Sequence, residues 1–286
     1  MNAKKRGVEG FYPNLSLRDI VRDGHVTIFR NVAGRSFADE DAIRIDVGWN
    51  NFDELPAAIK KARAKEKTRA KETPMAWDPE FGYLSADPSF SGNNFFIGCL
   101  MHLEALNLLG DLKYVLNALR AVRIEAWGFQ ADNIHDSAHL YRLENRYSLG
   151  ISEETLATRV SSVYYDLAQQ ELNARLHLVE EDSRVLADAV ARALAVLRYA
   201  RLLSPWELTD ILSPIRMVAS MGFIDGITKE EIDDFTLKQF GEPPDNPESR
   251  EQERARDRRD ADFADRMNRR FAKVRLNALG KELLES

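Results

Sequence analysis

The chain has one cysteine, Cys99, in 286 residues. An intrachain disulfide framework and a zinc site built on a cysteine cluster are both excluded. No apolar run approaches the roughly 18 residues that a membrane span needs, and the mean hydropathy is −0.41. A secretory leader is not expected either, because the basic Met1-Asn2-Ala3-Lys4-Lys5-Arg6 runs into Gly, Glu, Tyr and Pro rather than an apolar core. The expected location is the cytoplasm. Positive charge is in deficit: 40 Lys and Arg against 46 Asp and Glu leave −6, which argues against whole-surface attraction to nucleic acid. Phosphate-cradling glycine loops of the Walker or dinucleotide type and a G-x-S-x-G elbow are also missing. Of the five histidines, only His135 and His139 stand four apart, in an expected loop, so no zinc role follows. What is present, 44% apolar and 9% aromatic residues, suffices for one large domain or two small ones.

Two β-like runs, 25–29 and 42–47, read as a hairpin or edge meander. The pattern over 52–71 is helical and carries Lys60, Lys61, Arg63, Lys65, Lys67, Arg69 and Lys71. Such a run reads first as a solvated helix face. A polyanion-binding helix is the alternative, although no interleaved aromatics support it. Residues 81–91 crowd Gly, Asp, Pro and Ser around a short β run, which predicts a loop of special backbone geometry. A buried strand over 95–103 follows, then a helix with Leu112, Val115, Leu116 and Leu119 on one face that Asp111 could cap. Strands over 122–129 and 140–147 flank a polar loop. Beyond Ser152 the chain is expected to be helical over 156–181 and 185–203. Capping boxes start further helices at Ser204-Pro205-Trp206-Glu207 and at Thr228 to Glu231. A Gly- and Pro-rich linker at 241–247 precedes an amphipathic tail helix with Phe263, Met267, Phe271 and Val274 at helical spacing.

Several segments, in order, resemble the C-terminal catalytic domain of the phosphagen (guanidino) kinase family, in particular its bacterial protein-arginine kinase branch. Glu40-Asp41-Ala42-Ile43-Arg44-Ile45 is similar to that family's E-D-H-[IL]-R-I. Residues 82–96, from Gly82-Tyr83-Leu84-Ser85 to Asn94-Phe95-Phe96, lie without a gap over G-Y-L-T-x-C-P-T-N-x-G-T-G-x-R, and Met101-His102-Leu103 continues as M-H-L. Gln170-Glu171-Leu172-Asn173-Ala174-Arg175 resembles Q-E-R-x-A-R. Residues 186–190 resemble L-E-D-R-V, and Leu212-Ser213-Pro214-Ile215-Arg216 resembles L-S-x-x-R. The resemblance runs from about residue 24 to about residue 225. It implies an α+β fold, an antiparallel sheet flanked by helices as in the glutamine synthetase and guanidino kinase catalytic domains. Hairpins followed by a long helical stretch suggest the same class. The expected organisation is an N-terminal extension over 1–23, a catalytic-like domain over 24–235, and a linker with a charged helical tail over 236–286.

The family moves a γ-phosphoryl group from Mg-ATP to a guanidine nitrogen, catalysing mainly by alignment and by cancelling phosphate charge with arginines. Carried over by position, Glu40 matches the catalytic glutamate and Arg44 a phosphate-binding arginine. Other positions depart: the histidine of the first block is Ala42, the active-site cysteine is Asp87, and the arginine closing the second block is Phe96. In the R-G-x-x-G-E block a further arginine is Trp127, and the second carboxylate is Asp132. The early S-[ST]-R-[IV]-R strand has no evident counterpart. A hydrogen bond to a charged group contributes about 1.5–3 kcal/mol, so three or four lost arginines imply roughly 5–10 kcal/mol less phosphate stabilisation.

The first expectation is therefore a pseudokinase, a degenerate protein-arginine-kinase-like binding or regulatory protein without a cofactor. Its partner would be a protein, an active arginine kinase or its regulator, with a homodimer as a further option and neither membrane nor nucleic acid involved. The alternative is a divergent phosphotransferase using Mg-ATP, in which Glu40 and Asp132 orient a guanidine while Arg44 and Arg123, Arg142 or Arg146 rebuild a phosphate site. A third reading uses the 60–71 helix to bind nucleic acid. For Glu40 and Arg44 the plain alternative is an ion pair, mutual or with a neighbour. Arg256-Asp257-Arg258-Arg259-Asp260-Ala261 resembles the branch's phosphoarginine-sensing R-D-x-x-R-A with its second arginine replaced by Asp260; the plain reading is a charged helix surface.

Overall fold

A computed structural model describes residues 19–33, 42–85, 91–128, 138–146, 150–239 and 250–284. Its main sheet is antiparallel throughout, with strand order β2-β1-β5-β7-β6. The strands are β1 (Val21–Asn31), β2 (Ala42–Trp49), β5 (Phe95–His102), β6 (Ile124–Gly128) and β7 (Leu140–Asn145), while β3 (Trp77–Asp78) and β4 (Gly82–Tyr83) form a small separate hairpin. Alternation decides which face is covered. Ile28 pairs with Ile45 and with Phe95, Val26 with Val47 and Ile97, and Cys99 with Leu143. All of these belong to one core cluster. Against that face pack α1 (Leu55–Arg69) on β1 and β2, α3 (Leu112–Ala121) on β6, and α4 (Glu153–Glu180) on β5. The Tyr164 hydroxyl donates to the Ile97 carbonyl at 2.8 Å and ties α4 to the middle of the sheet. Cys99 lies in the same core, where burial pushes its thiol up, away from nucleophile chemistry.

The two early runs pair as expected, but β1 is an inner strand and only β2 forms the edge. The apolar pattern of β1 ends at Phe29 because Arg30 and Asn31 follow, yet both are buried. Arg30 donates to Glu66 at 2.5 Å and to the Asn93 carbonyl at 2.7 Å, and its guanidinium lies 3.6 Å from the Tyr83 ring centroid. The Asn31 amide donates to the Leu84 carbonyl at 3.0 Å. Near the start of β1, Gly24 faces Trp49 in register, and a Cβ there would come within 2.0 Å of the indole. Gly24→Ala is expected to lower the urea midpoint by an amount equivalent to about 1–3 kcal/mol, the usual effect of overpacking.

The C-terminal half is helical: α4, α5 (Ser183–Tyr199), α6 (Pro205–Ser220) and α7 (Lys229–Gln239). Caps explain several starts. Ser152 and Ser204 accept from the amides of Thr155 and Glu207, and Thr228 with Glu231 makes the reciprocal box. Asp111 occupies the N-cap position of α3 but makes no side-chain cap bond. The short α2 (Glu104–Leu108), directly after β5, has no sequence signal. The tail helix α8 (Arg250–Arg270) docks on α5 through buried Phe263 and Met267, and Phe271 and Val274 are buried just beyond its end. β9 (Arg275–Leu276) pairs with β8 (Ile224–Asp225), and α9 (Ala278–Leu284) follows. The linker at 241–247 lies outside the described residues. Among the described residues no helix is long and apolar enough to cross a membrane.

Candidate functional site

The sheet face opposite the helices carries Arg44, Phe96, Trp127 and Arg142, which the sequence marked, among others that it did not. The face consists of Arg44 and Asp46 on β2, His25, Thr27 and Phe29 on β1, Phe96, Gly98 and Leu100 on β5, Arg142 and Glu144 on β7, and Glu125 and Trp127 on β6, as register and the two-residue alternation require. Arg44 is 60% exposed, and its Nε donates to Asp46 Oδ2 at 2.8 Å. Asp46 also accepts from the Thr27 hydroxyl at 2.6 Å. Asp46 is thus a neighbouring ion-pair partner of Arg44. The Arg44 guanidinium lies 5.4 Å from the Phe29 ring centroid, and Phe29 meets Phe96 edge to face at 5.7 Å. Phe96 is 3% exposed, so this arginine-to-phenylalanine position is part of the packing.

In the middle of the face, His25 Nε2 lies 3.2 Å from Glu144 Oε2. Gly98 makes that reach possible, since a Cβ there would stand 2.3 Å from the imidazole. Glu125 and Glu144 are direct cross-strand neighbours, an unfavourable like-charge pairing, but Arg146 stands 3.5 Å from Glu125 and His25 takes Glu144. Sequence reasoning missed the roles of His25, Thr27 and Asp46. The alternation of β1 and β2 was the available signal.

Trp127 is half-buried and directly opposite Arg142. Arg44 and Arg142 share the face but lie three strands apart, about 14 Å, and about six residues apart along the strands, roughly 20 Å, as the register of Phe29, Ile28, Phe95 and Leu100 fixes. Arg123 lies elsewhere again, lining a groove of about 630 Å³ with Ile124, Arg159 and Val160. These arginines do not converge on one point. Ala42 starts β2. Glu40, Asp87 and Asp132 lie outside the described residues, as does His135. His139 stands 3.5 Å from Glu104, and no group of three or more potential metal ligands occurs among the described residues. The 256–261 motif lies on α8, where the Asp260 carbonyl accepts the Leu203 amide at 3.2 Å.

The family-like motif residues His102, Glu171, Arg175 and Ser213 meet in the interior instead. Arg175 donates to Glu171 at 2.8 Å and to Ser220 at 3.2 Å, and its Nη2 lies 3.1 Å from His102 Nδ1. His102 Nε2 is 2.9 Å from the Ser213 hydroxyl, which donates to Glu104 at 2.5 Å. Glu171 also accepts the amides of Ala105 and Leu106, both at 3.0 Å. Burial raises the Glu104 carboxyl to about 8 and lowers His139 to about 4. This cluster joins β5, α2, α4 and α6.

Comparison with known proteins agrees with the resemblance. Residues 36–174 match the ATP:guanido phosphotransferase C-terminal catalytic domain, and residues 183–277 match the protein-arginine kinase McsB C-terminal domain. Protein-arginine kinases of Bacillus cereus (strain G9842) and Bacillus anthracis are each 26% identical over 238 residues, covering 81% of this chain. The chain spans 65% of the length of those relatives. Among solved structures, the duplicated taurocyamine kinase from Schistosoma mansoni with bound transition state analog components aligns with TM-score 0.43 and 14% identity, covering 67% of this chain and 39% of that one. A lombricine kinase aligns at 0.42 and 12%, covering 54% and 66%. Matched over most of its length by domains of one lineage, the chain belongs to the ATP:guanidino phosphotransferase family, among relatives of the protein-arginine kinases.

Proposed function

We propose that the protein is a catalytically degenerate protein-arginine-kinase-like protein, a pseudokinase that works in the cytoplasm by binding and regulating a protein partner, an active arginine kinase or its regulator. The observation that carries this reading is the state of Arg44, the one described phosphate-site arginine retained from the family pattern: it is already neutralised by Asp46 at 2.8 Å. A phosphate would have to displace that carboxylate or share the arginine with it. Cancelling the charge of a triphosphate takes several converging positive groups, and Arg44 and Arg142 stand far apart on the sheet. Phe96 and Trp127 offer phosphate no charged donor. Arg44 and Arg142 therefore offer Mg-ATP no shared grip.

The test is a melting experiment with millimolar Mg-ATP and Mg-ADP beside a phosphoarginine assay on an arginine-rich substrate. A ligand at about 100 times its Kd stabilises the native state by about 2.7 kcal/mol. The expected outcome is no shift of Tm and no phosphoarginine. A clear shift together with phosphoarginine that Glu40→Gln abolishes would establish the divergent-enzyme alternative instead.

A further inference from the structure

The helix α1 carries a one-sided distribution of charge. Leu55, Ala58 and Ala62 turn inward, and so does Glu66, the only acidic residue of the helix, which is spent on buried Arg30. Arg63 turns to Glu153 and Glu154, both at 2.9 Å, and Lys65 donates to the Asp46 carbonyl at 3.2 Å. What remains outward is cationic. Among the described residues, Lys60, Lys61 and Lys67 are exposed or half-buried lysines with no carboxylate within 4.0 Å. Lys60 and Lys67 stand two turns apart on one side, about 10 Å. The helix also places like charges at i,i+4 in Lys61 with Lys65, Arg63 with Lys67, and Lys65 with Arg69, an arrangement that weakens a helix. It does so in a chain whose total charge is −6.

We infer that this outward face of α1 is a docking surface for an acidic segment of a protein partner. It extends beyond the proposed function, because it holds whether or not a nucleotide binds, and it lies behind β1 and β2, on the helix side of the sheet. Charge complementarity selects an anionic occupant, which would relieve the repulsion within the helix. Two features favour a short protein segment over nucleic acid. Lysines give point charges without the aromatic platforms that hold bases. A net negative chain also repels a long polyanion, while screening confines a short acidic segment to the local patch.

The experiment uses the full chain, with a fluorescent glutamate-rich helical peptide and a labelled single-stranded DNA of equal charge as probes, read by anisotropy at low and physiological salt. The peptide is expected to bind more tightly than the DNA. The triple variant Lys60→Glu/Lys61→Glu/Lys67→Glu is expected to weaken peptide binding at least about tenfold, while Lys113→Glu/Lys281→Glu leaves it unchanged. The free triple variant should melt no lower than the parent, since two of the three repulsive spacings become attractive. Lys60→Gln/Lys61→Gln/Lys67→Gln, which adds no new charge, should weaken binding in the same direction. Tighter binding of DNA, no binding of the peptide, or equal binding by the parent and the glutamine variant would each overturn the inference.

Discussion

Arg175→Met is expected to remove a large part of the protein's stability, about 3–5 kcal/mol, the measured range for breaking a buried ion pair from one side. Arg175 and Glu171 are both 0% exposed and 2.8 Å apart. Without the guanidinium, Glu171 keeps only the Ala105 and Leu106 amides as donors, while Ser220 and His102 each lose a partner. Domains of this size are stable by only about 5–15 kcal/mol, so the urea midpoint should fall by about a fifth of its value or more. The double variant Arg175→Met/Glu171→Leu separates causes. It removes the stranded carboxylate and should recover part of the loss, but not all, because the two α2 amides then lose their acceptor. A single variant that unfolds at the parental midpoint would show that the cluster is not what joins β5, α2, α4 and α6.

That cluster also marks the limit of what was legible in the sequence. His102, Glu171, Arg175 and Ser213 each belong to a family-like motif, but nothing local says that residues 73 and 111 positions apart meet. Caps were legible because they are local: Ser204 finds the Glu207 amide three residues on, and the tail helix docks on its apolar spacing. The strands were legible where alternation was clean, and β1 was read short where buried Arg30 and Asn31 interrupt it. At the candidate site the replacements of family residues could be read position by position. Their consequences could be read only in part. Arg44 and Asp46 share a face by two-residue alternation, so their pair was within reach, whereas His25 and Glu144, 119 residues apart, meet only through β5 and the flat space at Gly98.

Stability should decline as pH rises from about 6.5 to about 8, and Glu104→Gln should abolish that decline. Glu104 has its carboxyl raised from 4.5 to about 8, chiefly by burial, with Glu171 and Asp210 adding repulsion and Ser213 and Arg175 opposing it. The folded state therefore holds a proton that the unfolded chain releases near 4.5, and this contribution is full below that value and lost progressively up to about 8. His139, whose Nε2 faces both Glu104 and Asn107, works in the other direction. Burial lowers it from 6.5 to about 4, so its contribution is present above 6.5 and lost as pH falls toward 4. Between about 4.5 and 6.5 the two slopes oppose and nearly cancel, with Glu171, also raised by burial, adding to the Glu104 side. Above 6.5 the opposing His139 contribution is complete, and the Glu104 slope of about 1.4 kcal/mol per pH unit gives on the order of 2 kcal/mol by pH 8. Glutamine has the shape of the protonated carboxyl and cannot ionise, so the variant should match the parent near pH 6 and exceed it at pH 8. Urea midpoints at pH 6, 7 and 8 decide the matter: parallel curves for the two proteins would mean that Glu104 is ionised inside the fold at neutral pH, held by Arg175 and the Ser213 hydroxyl rather than by its proton.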